Sequence, residues 1–263
     1  MIERIGNRTP RPPARAVMFD FDGTVGLVRA GWMPIMLDMM METLSKLRSN
    51  HAALRAEAED YVARFTGKDT LYQMNAFADH VRSLGGKPLS AEQYKAQFIA
   101  SLEHEKNERL RSVRSGERPT SDLLVPGTVE LLQALRLRNV RVYLASGTAH
   151  QDIVYESELL GIAELFDGIY GSAPDRMTKR ELLEWIIGSD LRHDEVLAFG
   201  DGRVEIEETK AVGGIAVGVA TDEESGCLEV DVKKRGWLID AGADYIIPNY
   251  LDEDVIDLVT GEL

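Results

Sequence analysis

Two aspartates stand two residues apart at the end of an apolar run, in the stretch Val17-Met18-Phe19-Asp20-Phe21-Asp22-Gly23-Thr24. One acid closing a buried strand is ordinary turn chemistry. Two of them, leading into a glycine, have the look of a site. Three other short stretches bring matching chemistry. Ser146, followed by Gly147 and Thr148, ends the run "VRVYLAS". Asp201 ends "EVLAFGD", with Glu205 four residues on, and Lys179 opens the segment "KRELLEW" that precedes it. If a helix opens after Gly202, Asp201 and Glu205 fall on one side of it. Four carboxylates and a single ammonium in one place repel one another. A hard divalent cation with oxygen-only ligands is the natural remedy, and Mg²⁺ is the expected ion. A phosphate group completes the balance by ligating the metal and pairing with Lys179.

These residues meet only if the elements that carry them share one sheet edge. "ARAVMFD" reads as a buried strand. From about Val125 onward, short apolar runs alternate with segments of helical period: "VRVYLAS", "FDGIYG", "EVLAFGD", "GGIAVGVA" and "ADYIIPN" read as strands. That alternation predicts an α/β fold, a doubly wound, Rossmann-like parallel sheet covered on both faces. Ligands of such sheets bind outside the carboxyl ends of the strands, where the candidate residues lie. Between about Gly31 and Arg114 the pattern is helical throughout, and about four helices are expected there. The reading is therefore a core of residues 1–28 and 121–263, interrupted by a helical cap of residues 29–120.

Composition narrows the function classes. The 263 residues carry a formal net charge of −14, which argues against nucleic-acid and membrane-surface partners, since both require positive patches. The lone Cys227 excludes an internal disulfide framework and fits a reducing compartment. No apolar run approaches a membrane span, and the opening residues lack the apolar centre of a secretory leader. A cytoplasmic enzyme is expected, a monomer or weak dimer, with a loose, basic N-terminal arm.

The motifs together resemble those of the haloacid dehalogenase-like hydrolase superfamily. The match runs over the whole core: Asp20-Phe21-Asp22-Gly23-Thr24 for the first motif, Ser146 for the second, Lys179 for the third, and "GDGRVE" with Asp201 and Glu205 for the fourth. Glu205 stands where an aspartate is commoner, so its reach to the metal is direct or through water. The resemblance implies a Mg²⁺-dependent phosphatase for a small phosphorylated metabolite, a sugar phosphate or phospho-acid. Asp20 would attack phosphorus to form an aspartyl-phosphate, and Asp22 would protonate the leaving alcohol and then activate water. Asp20, the main-chain carbonyl of Asp22, Asp201 and Glu205 would hold the metal. Ser146, Gly147, Lys179, Gly23 and Thr24 would hold the phosphoryl group. Dehalogenase members lack the second acid, so Asp22 favours a phosphate ester.

The position of the helical insert is similar to that of the helical-cap branch, which includes phosphoglycolate phosphatase-like and beta-phosphoglucomutase-like phosphatases. That branch uses an inter-helix loop like "FTGKDTLYQM" to contact substrate, which nominates Thr66, Gly67 and Lys68. Arg29 and His150 are further specificity candidates, although Arg29 is equally readable as a hinge ion pair. The Met-rich "WMPIMLDMMME" reads as core, and the acid run "TDEESG" as a solvated loop. A phosphomutase with the same nucleophile and a non-catalytic phosphometabolite sensor are the alternatives to hydrolysis.

Overall fold

A computed structural model describes residues 2–6, 11–65, 70–173, 175–188, 190–223 and 225–262. In chain order its elements begin with β1 (Glu3–Arg4), β2 (Ala16–Phe19), α1 (Trp32–Leu44), α2 (His51–Phe65), α3 (Thr70–Ser83) and α4 (Ala91–Arg114). There follow α5 (Thr128–Leu137), β3 (Arg141–Ala149), α6 (His150–Leu159), β4 (Gly168–Ser172), α7 (Lys179–Ile187) and β5 (Val196–Gly200). The chain closes with α8 (Arg203–Ala211), β6 (Ile215–Val219), α9 (Val232–Asp240), β7 (Tyr245–Ile247) and α10 (Asp254–Thr260).

The strands form one sheet in the order β1-β7-β6-β5-β2-β3-β4. All neighbours are parallel except β1, which runs antiparallel to β7. This is the doubly wound α/β sheet that the alternation of runs predicts. The reason β2 has no polar face is visible in its packing. Val17 and Phe19 enter one apolar cluster with Leu144, Phe199 and Val217. Ala16 and Met18 enter another, with Ala198, Leu182 and Leu183. Side chains alternate between sheet faces, and here helices cover both.

Two compact units result, residues 1–30 with 109–263, and residues 31–108. The boundary falls inside α4, not at residue 120 where the composition of the connector suggests it. Leu110 and Val113 are buried in the sheet unit's cluster, and Arg109 donates to the carbonyls of Val28 and Ala30 at 3.1 and 2.6 Å. The last turns of a periodic helix carry no compositional mark of which unit buries them. The helical unit has its own core. Met36, Met40, Leu44, Met74, Phe77 and Tyr94 are buried in it, so the methionine stretch fills space as expected.

Two elements differ from the sequence reading. The N-terminal arm is not wholly loose, because Glu3 and Arg4 pair with Ile246 and Tyr245, and Arg235 binds Glu3 at 2.5 and 2.6 Å. A two-residue strand is too short to leave a period. The second is α9, which lies in "VKKRGWLID", where polar residues and Gly236 obscure the helical pattern. Its start was marked by Asp231, whose side chain caps the N–H groups of Lys233 and Lys234.

Candidate active site

The carboxyl ends of β2, β3 and β5 bring the first, second and fourth motifs to one edge. Asp20 follows β2 directly, and its N–H donates to Phe199 O of β5 at 2.9 Å. Beneath it, the rings of Phe19 and Phe199 stack at 4.8 Å. Tyr250 meets both edge-on, and its hydroxyl donates to Thr24 O at 2.9 Å. The strand end that carries Asp20 therefore rests on an aromatic floor.

Gly23 has φ +70, and a Cβ there would lie 2.1 Å from Asp201 Oδ2. Both the left-handed backbone and the contact demand glycine, and the contact sets the first motif against the fourth. Thr24 is fully buried behind this turn. Its carbonyl is used by Tyr250, while its hydroxyl has no hydrogen-bond partner among the described residues. Its carbonyl thereby ties the turn of the first motif to the aromatic floor.

Three cations organise the acids, each bridging two. Lys179, the first residue of α7, donates to Asp20 Oδ1 at 2.5 Å and to Glu205 Oε1. It is delivered by a capping box in which the Thr178 side chain accepts from Glu181 N and Glu181 accepts from Thr178 N. Lys234 of α9 donates to Asp201 Oδ2 at 3.1 Å and to Glu223 Oε1 at 3.0 Å. Arg29 binds Glu156 through two bonds of 2.7 and 2.6 Å and reaches Asp22 Oδ1 at 3.1 Å. Thr148 donates to the other oxygen of Asp22 at 3.0 Å.

Burial sets the protonation balance. It raises the pKa of Asp20 well above the usual carboxylate range, with Glu205 and Asp201 adding to the effect and Lys179 opposing it. Asp201 is pushed up to about 6, again chiefly by burial, against the pull of Lys234. Burial also acts on Glu205, but the Lys179 ammonium outweighs it and holds this carboxyl below its ordinary value. Lys179 and Lys234 are raised despite burial, because each faces two acids.

The other candidates fall as follows. Ser146 is buried at the end of the regular part of β3, and its Oγ accepts from Thr148 N at 3.0 Å. That leaves its hydroxyl proton for an incoming oxygen. Gly147 is exposed, with nothing within 4 Å of a Cβ position. Arg29 is engaged by Glu156 and Asp22, the ion pair that its sequence position also allows, and it orients Asp22. His150 opens α6, and its Nδ1 accepts from Gly171 N at 3.3 Å, tying α6 to β4. Thr66, Gly67 and Lys68 lie outside the described residues.

Sequence reasoning missed Lys234, Glu223 and Glu156. Glu223 belongs to the acid run read as a solvated loop. Its side chain is only 13% exposed, and Oε1 lies 3.0 Å from where a Cβ of Gly23 would sit. The burial follows from Lys234, which the missed helix supplies.

The donor set fits a divalent cation. Six linked acids against three cations leave three formal negative charges in excess, and every unengaged donor is an oxygen. Among the described residues no three acids stand close enough, as their side chains lie, to enclose an ion, because ammonium groups stand between them. Asp20, Asp201 and the main-chain carbonyl of Asp22 would hold the metal, with Glu205 behind them.

A family profile for haloacid dehalogenase-like hydrolases matches residues 14–213. The chain belongs to the haloacid dehalogenase-like hydrolase family. The match spans the first to fourth motifs and the helical insert. Among solved structures, a predicted phosphoglycolate phosphatase from Haemophilus somnus superposes with a TM-score of 0.58 at 17% identity, covering 93% of this chain and 97% of its own. A candidate HAD hydrolase from Bacillus subtilis, bound to magnesium, gives 0.55 at 14%, covering 94% and 99%. A candidate beta-phosphoglucomutase from Thermotoga maritima gives 0.53 at 17%, covering 95% and 100%. At these identities the likeness is one of fold. A search of curated proteins found no significant match. Among the described residues no helix is long and apolar enough to cross a membrane.

Proposed function

We propose that this family member is a phosphatase that hydrolyses a small phosphorylated metabolite through an aspartyl-phosphate on Asp20. One observation carries the reading: the two acids of one motif sit in different environments. Asp20 is buried and held by Lys179, whereas Asp22 is a third exposed and oriented by Thr148 and Arg29. Such a pair suits a nucleophile and a proton carrier.

A carboxylate oxygen of Asp20 attacks phosphorus, and the bond from phosphorus to the alkoxy oxygen breaks. Asp22 gives its proton to that oxygen, releasing the alcohol. Water then attacks phosphorus of the acyl-phosphate while Asp22 takes back a proton. The bond from phosphorus to the Asp20 oxygen breaks, inorganic phosphate leaves and the Asp20 carboxylate is restored. Ser146, with its free hydroxyl proton, and Lys179, with a third N–H beyond its two bonds, receive the phosphoryl oxygens. Bound Mg²⁺ would supply charge neutralisation for the phosphoryl oxygens and keep Asp20 ionised against the pull of burial.

The test is phosphate release from a panel of small esters, with Mg²⁺ and with chelator, in the native enzyme and Asp20→Asn. Release should require both metal and Asp20, with Asp20→Asn at least about a thousandfold slower. Release from Asp20→Asn at the native rate sinks the nucleophile assignment. An isomeric ester in place of free phosphate turns the reading to a mutase.

A further inference from the structure

A cavity of about 560 Å³ opens beside the phosphoryl subsite, entirely within the sheet unit. Ser146, Tyr170, Arg176, Met177 and Val204 are among its lining residues, together with two acid–base pairs, Lys179 with Glu205 and Arg180 with Glu208. Its volume suits a small-molecule ligand. Two of its apolar side chains, Met177 and Val204, are 37% and 40% exposed, which a ligand's hydrocarbon would cover.

The cations around it differ in one respect. Lys179 is committed to Asp20 and Glu205, and Arg180 to Glu208. Arg176 is exposed and its side chain pairs with no described residue, although the chain carries 44 acids against 30 lysines and arginines. In so acidic a chain, an unpaired guanidinium next to a phosphoryl subsite is placed for an anion from outside.

We propose that this cavity takes the body of the substrate and that Arg176 binds a second anionic group on it. The substrate class is then a phosphate monoester with a short, partly apolar chain ending in a carboxylate or a second phosphate. Arg176 acts on selectivity, not on bond cleavage, and a planar guanidinium suits either anion. The proposal rests on the phosphatase reading for the placement of the first phosphate.

Phosphate monoesters with chains of three to six carbons serve as probes, each ended by hydroxyl, carboxylate or phosphate. The native enzyme should favour an anionic end in kcat/KM. Arg176→Ala should cut the anionic-to-neutral ratio at least about tenfold, mainly through KM, and Arg176→Lys should keep most of it. Which end loses more identifies the anion. The same esters are titrated into Asp20→Asn by thermal shift, where binding is read without turnover. An anionic preference there that vanishes in Asp20→Asn/Arg176→Ala supports the site even if no ester is hydrolysed, and the failure then belongs to the phosphatase reading. A ratio unchanged by Arg176→Ala, or no anionic preference in Asp20→Asn, overturns the proposal.

Discussion

At the scale of single residues, the site is legible where chemistry and chain position coincide. Asp20, Asp22 and Asp201 follow a strand, Lys179 and Glu205 lie in the first turn of a helix, and Ser146 lies near the end of β3, so reading strand ends and helix starts finds them. Lys234 and Glu223 are invisible to that method, since the bond from Lys234 to Asp201 spans 33 positions and starts on a helix with a weak pattern. Their weight is testable. Lys234→Met leaves Asp201 and Glu223 without their ammonium. Losing one partner of a buried pair costs about 3–5 kcal/mol, and the lower end applies because the Asp201 side chain is a fifth exposed. Urea unfolding in chelator should show a loss of about 3 kcal/mol, partly recovered by Mg²⁺. A loss under about 0.5 kcal/mol in chelator would mean that the two acids do not depend on Lys234. Gly23→Ala meets a different barrier. The left-handed backbone costs an alanine roughly 1–2 kcal/mol, and the Cβ must displace the Asp201 carboxylate besides. Its signature should be a lower Tm together with a smaller Mg²⁺-induced rise in Tm than the native protein shows.

Elements were legible in proportion to their length and their polarity contrast. Strands β2, β3, β5 and β6 are apolar runs with both faces buried, so composition alone marks them. By contrast, β1 has two residues and is a strand only because β7 pairs with it. The polar helix α9 was hidden by the same lysines that give it a role. Where an element is capped, the cap links its stability to the site. In α7 the capping box holds Lys179 at the first helical position, so Thr178→Ala should act twice. Removing such a cap costs about 1 kcal/mol, or roughly 2–4 °C in Tm for a chain of this size. Phosphate affinity should weaken as well, because Lys179 loses the turn that aims it. Thr178→Ser, which retains the hydroxyl, should restore both. A Tm loss with unchanged phosphate affinity would separate the cap from the site.

For the molecule as a whole, three of the fourteen surplus negative charges lie among the linked acids where the sheet opens, and their burial predicts how pH and metal act together. A carboxyl whose folded pKa is raised favours its neutral form in the native state. Its stabilisation is full below the unfolded value and is lost as pH rises through the folded one. For Asp201 that window runs from 3.8 to about 6, and for Asp20 it extends in the same direction. Glu205 is depressed, so its contribution is present above its unfolded value and falls away only as pH drops below 4.5. Between about pH 5 and 8 the raised acids therefore govern, and Tm in chelator should fall across that range. General repulsion from a net charge of −14 pushes the same way, but 0.5 M salt shrinks it to a few ångströms' range, and buried groups are screened far less. The decline should persist in salt and flatten in Asp201→Asn. Mg²⁺ binds the ionised carboxylates, so its dissociation constant falls as pH rises, and at one fixed concentration it should raise Tm most at pH 8 and least at pH 5. At one hundred times its dissociation constant the gain is about 2.7 kcal/mol. A Mg²⁺ shift in Tm that is the same at pH 5 and pH 8 would place the ion away from Asp20 and Asp201.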